Sequence, residues 1–383
     1  MNGRFWHLGK KSTLLLSAVT LLAFVVAGCG TAAGVPQGAA PAAKHKPVVT
    51  VQIQLNWLTN VEFSGLWMAD HFGWFKKAGF KLQAKAWANG INPETTTASC
   101  WQSAGKNKLC LGFDDSSAIP IARQAGNNLV GIWAGSQKTP FGFMSCFVPK
   151  KPKVNKKCKS NTGKNITNPR QWKGLTVGYQ SHELYVPQIM LSSVGLNLGQ
   201  VTPHNAAFNI GELTSGVVDV YEVFINNEPI AEKLSGIKVN VIPAYKWGMA
   251  SFYADVMFAP QSEIGARKSK LKAFVKLVDR GWKWAMAHPK KAADIVEKDY
   301  FKATTPSVAF NRKQQEMEEG VFAKTLSRQG GKVDGQMTLA RWKQIIKVLR
   351  KSKTDGGTPI LSKNVPAKDC FTNQFTPAPG GAI

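Results

Sequence analysis

Four short stretches set aromatic rings beside amide, hydroxyl or carboxylate groups, the combination that holds a flat heteroaromatic molecule by its face and its edge. Asn56 and Trp57, followed by Phe63, offer a stacking surface with amide groups directly after a strand-like run. Asp115 and Ser116, within GFDDSS at 112–117, offer a carboxylate and hydroxyls. Tyr185 closes a third stretch that begins at Gly178, and it can stack or donate a hydrogen bond. The fourth is Asn226-Asn227-Glu228-Pro229, where Glu228 can accept from a ring N–H, a ribityl hydroxyl or an amine. Each stretch also has a purely structural account. Trp57 and Phe63 can close the end of a core, and Asp115 or Ser116 can cap a helix. Tyr185 can sit at a core edge, and Glu228-Pro229 can open a helix with proline at its first position.

Bond-breaking chemistry has no comparable signature. His182-Glu183 is followed by Leu184, Tyr185 and Val186, so no second histidine stands one helical turn away to share a zinc ion. The six histidines are scattered, and neither a G-x-S-x-G elbow nor a phosphate loop ending in G-K-[ST] occurs. Triads assemble across distant sequence, so missing motifs lower the odds of an enzyme without excluding one. The expectation is a binding protein with no catalytic residue, no cofactor and no metal.

The elements that position these stretches alternate. VVTVQIQL at 48–55 reads as a strand, 65–77 as a helix, 80–86 and 109–113 as strands, 116–124 as a helix and 129–134 as a buried strand. This order predicts an α/β fold with a mostly parallel sheet, whose ligand crevice lies at the carboxyl ends of the strands. The pattern breaks after Cys146, where Lys150, Lys151, Lys153, Lys156, Lys157, Lys159 and Lys164 crowd a polar stretch at 149–165 that must stay solvated. A second alternating block follows, with strands at 175–179 and 217–224. The chain then offers a strand at 253–259 and a helix with Leu271, Phe274, Val275, Val278, Trp282 and Met286 on one face. The expected organisation is a first lobe at 48–145, a second at 146–248, a return to the first lobe with packing helices at 249–350, and a tail at 351–383 that wraps the surface or frays.

The beginning of the chain reads as an export signal at 1–28: Arg4, Lys10 and Lys11, an apolar run, then Val26-Ala27-Gly28-Cys29. This resembles the lipobox of bacterial lipoproteins, which implies that Cys29 becomes a lipid-bearing N-terminus on the outer side of the cytoplasmic membrane. Residues 29–47 are rich in Ala, Gly and Pro and read as a tether. Outside the membrane disulfides are allowed. Cys100 with Cys110 and Cys146 with Cys158 close short loops and leave Cys370 single, although spacing alone does not fix connectivity and free thiols are the alternative. The formal charge is +26. Export removes nucleic acid as a partner, leaving attraction to anionic lipid, adaptation to an acidic medium, or a solvated surface.

The stretch LNWLTNVEFSGLWMADHFGWFKKAGF at 55–80 resembles the opening of the binding proteins related to thiamine-pyrimidine synthases. GFDDSS at 112–117, QKTPF at 137–141, WKGLTVG at 172–178 and the segment 217–229 follow in the same order. The likeness spans 48–259. It implies a two-lobed type II periplasmic-binding fold with two hinge crossovers, serving ABC importers of pyrimidine precursors of thiamine, riboflavin, sulfonates or related compounds. Asn226-Asn227-Glu228-Pro229 and Gln137-Lys138-Thr139-Pro140 look more like the pyrimidine and flavin-precursor binders. By the resemblance the ligand residues are Asn56, Trp57, Asp115, Ser116, Tyr185, Asn227 and Glu228. The implied partners are a small ligand, a permease and, through Cys29, the membrane, with the protein a monomer that works by hinge closure. The tryptophan richness, the cysteine pairs and the lysine insertion depart from the family pattern. The cysteine-rich iron motif of the synthases is not matched. A sulfonate, taurine or nitrate binder is the rival on the same fold, and an exported enzyme or ligand-sensing scaffold is the rival of another class. The heteroaromatic reading requires Trp57 and Glu228 to face one hollow from opposite walls.

Overall fold

The computed structural model describes residues 47–88, 90–150, 157–180, 183–301, 320 and 335–377. The export segment, Cys29, most of the tether, Lys151, Lys153, Lys156 and His182 lie outside them.

Two five-stranded sheets form the two lobes. The first has the order β2-β1-β3-β10-β4, from β1 (Val49–Gln54), β2 (Phe80–Lys85), β3 (Lys108–Asp114), β4 (Leu129–Ser136) and β10 (Ala254–Pro260). The second has the order β7-β6-β8-β5-β9, from β5 (Phe141–Cys146), β6 (Thr176–Tyr179), β7 (Thr202–Asn205), β8 (Val220–Phe224) and β9 (Val239–Pro243). β1 pairs in parallel with β2 and β3, and β6 in parallel with β7 and β8. β10 and β5, the strands that enter each sheet from the other lobe, run antiparallel to both neighbours. Each sheet is therefore mostly parallel with one reversed strand. Both faces of β4, β5 and β10 are buried, which explains their unbroken apolar runs.

Two boundaries differ from the sequence expectation. The chain leaves the first sheet at 137–140, ahead of the expected limit at 145, because Phe141–Cys146 pairs with β8 and β9. It rejoins the first sheet only at Ala254, several residues after 249. Sheet membership is decided by pairing across the fold, and a short apolar run carries no mark of which sheet it joins.

Among the described residues the α-helices are α1 (Ser64–His71), α2 (Trp74–Lys77), α3 (Pro93–Gln102), α4 (Ala118–Gln124), α5 (Tyr185–Ser192), α6 (Gly211–Thr214), α7 (Glu228–Leu234), α8 (Gln261–Ala266), α9 (Lys268–Ala287), α10 (Pro289–Ile295) and α11 (Leu339–Lys351). The single helix expected at 65–77 is two, because Gly73 takes a left-handed conformation at φ 68° between α1 and α2. α9 buries Leu271, Phe274, Val275, Val278 and Trp282 against the first sheet and α1. Its contact with α1 is backbone to backbone: a Cβ added at Gly281 would lie 2.2 Å from the Gly65 carbonyl oxygen. The stretch joining β1 to α1 is thereby fixed from behind.

α11 inserts Trp342, Ile345 and Leu349 into a cluster that also holds Phe141, Val177 and Tyr253. The tail wraps rather than frays over 351–377. The Gly131 N–H donates to the Cys370 carbonyl at 2.9 Å, the Thr372 N–H donates to the Gly131 carbonyl at 2.8 Å, and Cys370 and Phe375 are buried. Disulfides join Cys100 to Cys110 and Cys146 to Cys158, and Cys370 is a buried free thiol.

Candidate ligand-binding site

The carboxyl end of β1 delivers Asn56 and Trp57 to the gap between the lobes. The Trp87 N–H donates to the Trp57 carbonyl at 2.9 Å and ties this turn to the end of β2. The Trp57 ring stacks on Trp87 at 6.1 Å and meets Phe208, on the second lobe, edge-on at 4.5 Å. Opposite, β8 ends at Phe224 and the chain turns into α7, whose first residue is Glu228 and whose second is Pro229. A Glu228 oxygen accepts from the Phe224 N–H at 2.8 Å, so the carboxylate is held back over the strand end. Trp57 and Glu228 line the same hollow, together with Asn56, Gln180, Glu183, Phe208, Glu222, Val223, Phe224 and Asn227.

The lining is one-sided in charge. It contains three carboxylates and no lysine, arginine or histidine among the described residues. Glu222 is 3% exposed. One of its oxygens accepts from the Gln180 N–H at 2.7 Å, and Oε1 has no protein partner among the described residues. Burial, then the nearby Glu183 carboxylate, holds the Glu222 carboxyl well above the usual range. Burial also raises Glu228 to about 7, against the lowering effect of the N–H groups that reach it. Asn56 Oδ1 is likewise a buried acceptor with no partner among the described residues.

Beside the hollow, Asp115 at the end of β3 meets Tyr185 at the start of α5. The Tyr185 hydroxyl donates to one Asp115 oxygen, and the other accepts from the Ser117 N–H at 2.6 Å and from the Ser117 hydroxyl. Asp115 is pushed up to about 6, chiefly by burial. Ser116 is fully buried and fastens this turn to the returning crossover: its N–H donates to the Tyr253 carbonyl at 3.1 Å and its Oγ accepts from the Tyr253 N–H at 3.0 Å.

Of the residues singled out from sequence, Asn56, Trp57, Asn227 and Glu228 therefore share one hollow. Asp115 and Tyr185 form a bond across the lobes next to it. Phe63 and Ser116 are not among its lining residues. Phe63 is 1% exposed and packs edge-on against Phe113 at 5.5 Å, where the core-closing account of this ring applies. Gln180, Glu183, Phe208 and Glu222 were not singled out. Glu222 did carry a signal, a carboxylate inside the apolar strand VYEVF, where an acid is out of place unless something needs it. Phe208 follows β7 in a segment with no periodicity, and nothing local marks it.

A family model described as NMT1/THI5 like matches residues 60–292. A formylaminopyrimidine-binding protein of Halalkalibacterium halodurans is 22% identical over 339 residues, covering 87% of this chain and 92% of that protein. Among solved structures, the alkanesulfonate-binding protein SsuA from Xanthomonas axonopodis pv. citri, bound to MOPS, aligns with a TM-score of 0.60 at 12% identity over 86% of this chain and 99% of its own. The desulfurization enzyme DszB aligns with a TM-score of 0.51 at 12% identity over 86% of this chain and 97% of its own. These likenesses establish the two-lobed periplasmic-binding fold and, with an enzyme among the proteins that share it, leave function to the site.

Proposed function

The chain belongs to the NMT1/THI5-like family, and from that premise we propose that it is the extracytoplasmic solute-binding component of an ABC importer, taking a small planar heteroaromatic molecule of the thiamine-pyrimidine precursor or riboflavin kind. The observation that carries this reading is the hollow between the lobes, with the Trp57 ring on one wall and the Glu228 carboxylate on the other. Aromatic faces there can hold a ring, and a carboxylate can accept from a ring N–H or an exocyclic amine. A sulfonate or nitrate would bring negative charge to a lining that carries three carboxyl groups and, among the described residues, no lysine, arginine or histidine to pair with it. The formylaminopyrimidine-binding relative favours the same choice.

In this role no bond is broken. Ligand contacts to both walls favour the closed arrangement, and the closed lobes are what a permease would read. The protein is proposed to stay at the outer face of the cell membrane through lipid on Cys29, as a monomer, and its two disulfides suit that oxidising location. Mass spectrometry of the membrane-bound protein should find the lipid on the Cys29 peptide, and C29A should appear in the soluble fraction.

The decisive experiment is a thermal-shift and calorimetry panel of hydroxymethylpyrimidine, formylaminopyrimidine, riboflavin, taurine and nitrate. A true ligand at a hundred times its dissociation constant should stabilise the protein by about 2.7 kcal/mol. Stabilisation by taurine or nitrate alone would overturn the heteroaromatic reading.

A further inference from the structure

The chemistry of the hollow goes beyond the shape that a flat ring requires. Glu222 comes from the middle of β8, outside the Asn226-Asn227-Glu228-Pro229 turn, and adds a second carboxyl group to the hollow that Glu228 lines. Its side chain is 97% buried by the 3% exposure that remains, and Oε1 accepts no hydrogen bond from any described residue. Such an orphan is costly in a folded protein unless a ligand supplies the missing donor. The Asn56 amide can be turned to present a donor or an acceptor, whereas the Glu222 carboxyl gives up its proton and takes a full negative charge when a cation lies against it. The aromatic side points the same way. Trp57 and Phe208 line the same hollow, and the faces of aromatic rings attract cations.

We propose that Glu222 is the counter-charge for a positively charged ligand, so that the hollow selects a cationic planar heterocycle, such as an aminopyrimidinium, over its neutral counterpart. This inference rests on the heteroaromatic reading above and narrows it. The ligand's N–H edge meets Oε1 of Glu222 while its ring lies against Trp57, and Glu228 is left to fix orientation at the strand end.

The test compares two probes of nearly one shape, 4-amino-2-methylpyrimidine and its N1-methylpyrimidinium salt, by calorimetry on the mature chain at pH 8. Wild type should bind the cation about tenfold or more tightly than the neutral ring, the margin between a charge-assisted and a neutral contact. E222Q should erase that preference. Equal affinity for the two probes in wild type, or a preference that survives E222Q, overturns the inference and leaves the heteroaromatic reading standing. Failure of wild type to bind either probe overturns the inference too, while riboflavin in the panel above still tests the heteroaromatic reading. If E222Q does not fold, wild-type titrations in two buffers of different ionisation enthalpy decide the matter. The cation should displace a proton that the neutral ring does not, and identical proton exchange for both probes counts against the proposal.

Discussion

The hydroxyl of Tyr185, at the start of α5 in the second lobe, donates to the carboxylate of Asp115, at the end of β3 in the first. The bond ties the two lobes beside the hollow that a ligand would occupy. Removing the hydroxyl leaves Asp115 buried with, among the described residues, only Ser117 as donor. Y185F should therefore lower stability by about 1–3 kcal/mol, the cost of depriving a buried acceptor of its partner. It should also shift the lobes toward the open arrangement, which small-angle scattering would register as a larger radius of gyration without ligand. An unchanged melting temperature together with an unchanged radius would mean that the bond holds nothing shut.

Stability should rise as the medium becomes acidic. Burial raises Asp115 and Asp255 to about 6, Glu228 to about 7 and Glu263 to about 8. In the unfolded chain these groups lose their protons near about pH 4. Between those limits the folded state holds protons that the unfolded state lacks, so unfolding releases protons and becomes easier as pH increases. The contribution is fully present below about pH 4 and is lost as pH passes through 6 to 8. Urea midpoints should be higher at pH 5 than at pH 8. E263Q should flatten the upper part of the slope, since Glu263 keeps a proton to the highest pH of the four. A midpoint that climbs with pH would refute the sign.

How much of this could be read from the residues follows from the range of the forces involved. Strand β1, the apolar face of α9 and the turns after the strands were legible because alternation, helical spacing and turn chemistry are local. The helix at 65–77 concealed its break at Gly73, since a single glycine is compatible with continuing or stopping. The lobe boundary at 145 failed because β5 chooses its sheet by pairing with β8 and β9, a choice made far away in sequence. At the site, Trp57 and Glu228 stood out by following strands, whereas Phe63 occupies the same kind of position and yet turns into the core. Glu222 and Phe208 join the hollow only when the lobes come together, which no local pattern encodes.

The close approach of α1 and α9 predicts an indirect effect on binding. A methyl group at Gly281 would collide with the Gly65 carbonyl, and both atoms belong to backbone that cannot rotate away. G281A must push the helices apart, at a cost of about 1–3 kcal/mol for overpacking. Because α1 continues from the turn that carries Asn56 and Trp57, the displacement should weaken ligand binding as well as lower the melting temperature. A Gly281 variant that melts lower but binds with unchanged affinity would show that the turn is held from the front, by Trp87 and the end of β2, rather than from behind.

Trp57 separates recognition from folding. It is only partly buried, its ring contacts are with Trp87 and Phe208 at the rim of the hollow, and its carbonyl, which the Trp87 N–H reaches, survives any side-chain change. W57A should thus cost little stability beyond about 0.5–1.5 kcal/mol for each lost aromatic contact. The same loss of a stacking face should weaken a heteroaromatic ligand by about tenfold or more, as truncating a central aromatic anchor does. W57F, which keeps a ring, should recover part of that affinity. Calorimetry with the ligand found in the panel, beside thermal melts of the free proteins, distinguishes the cases. If W57A and W57F bind as wild type does, the indole is a lid on the core and the ring must be held elsewhere.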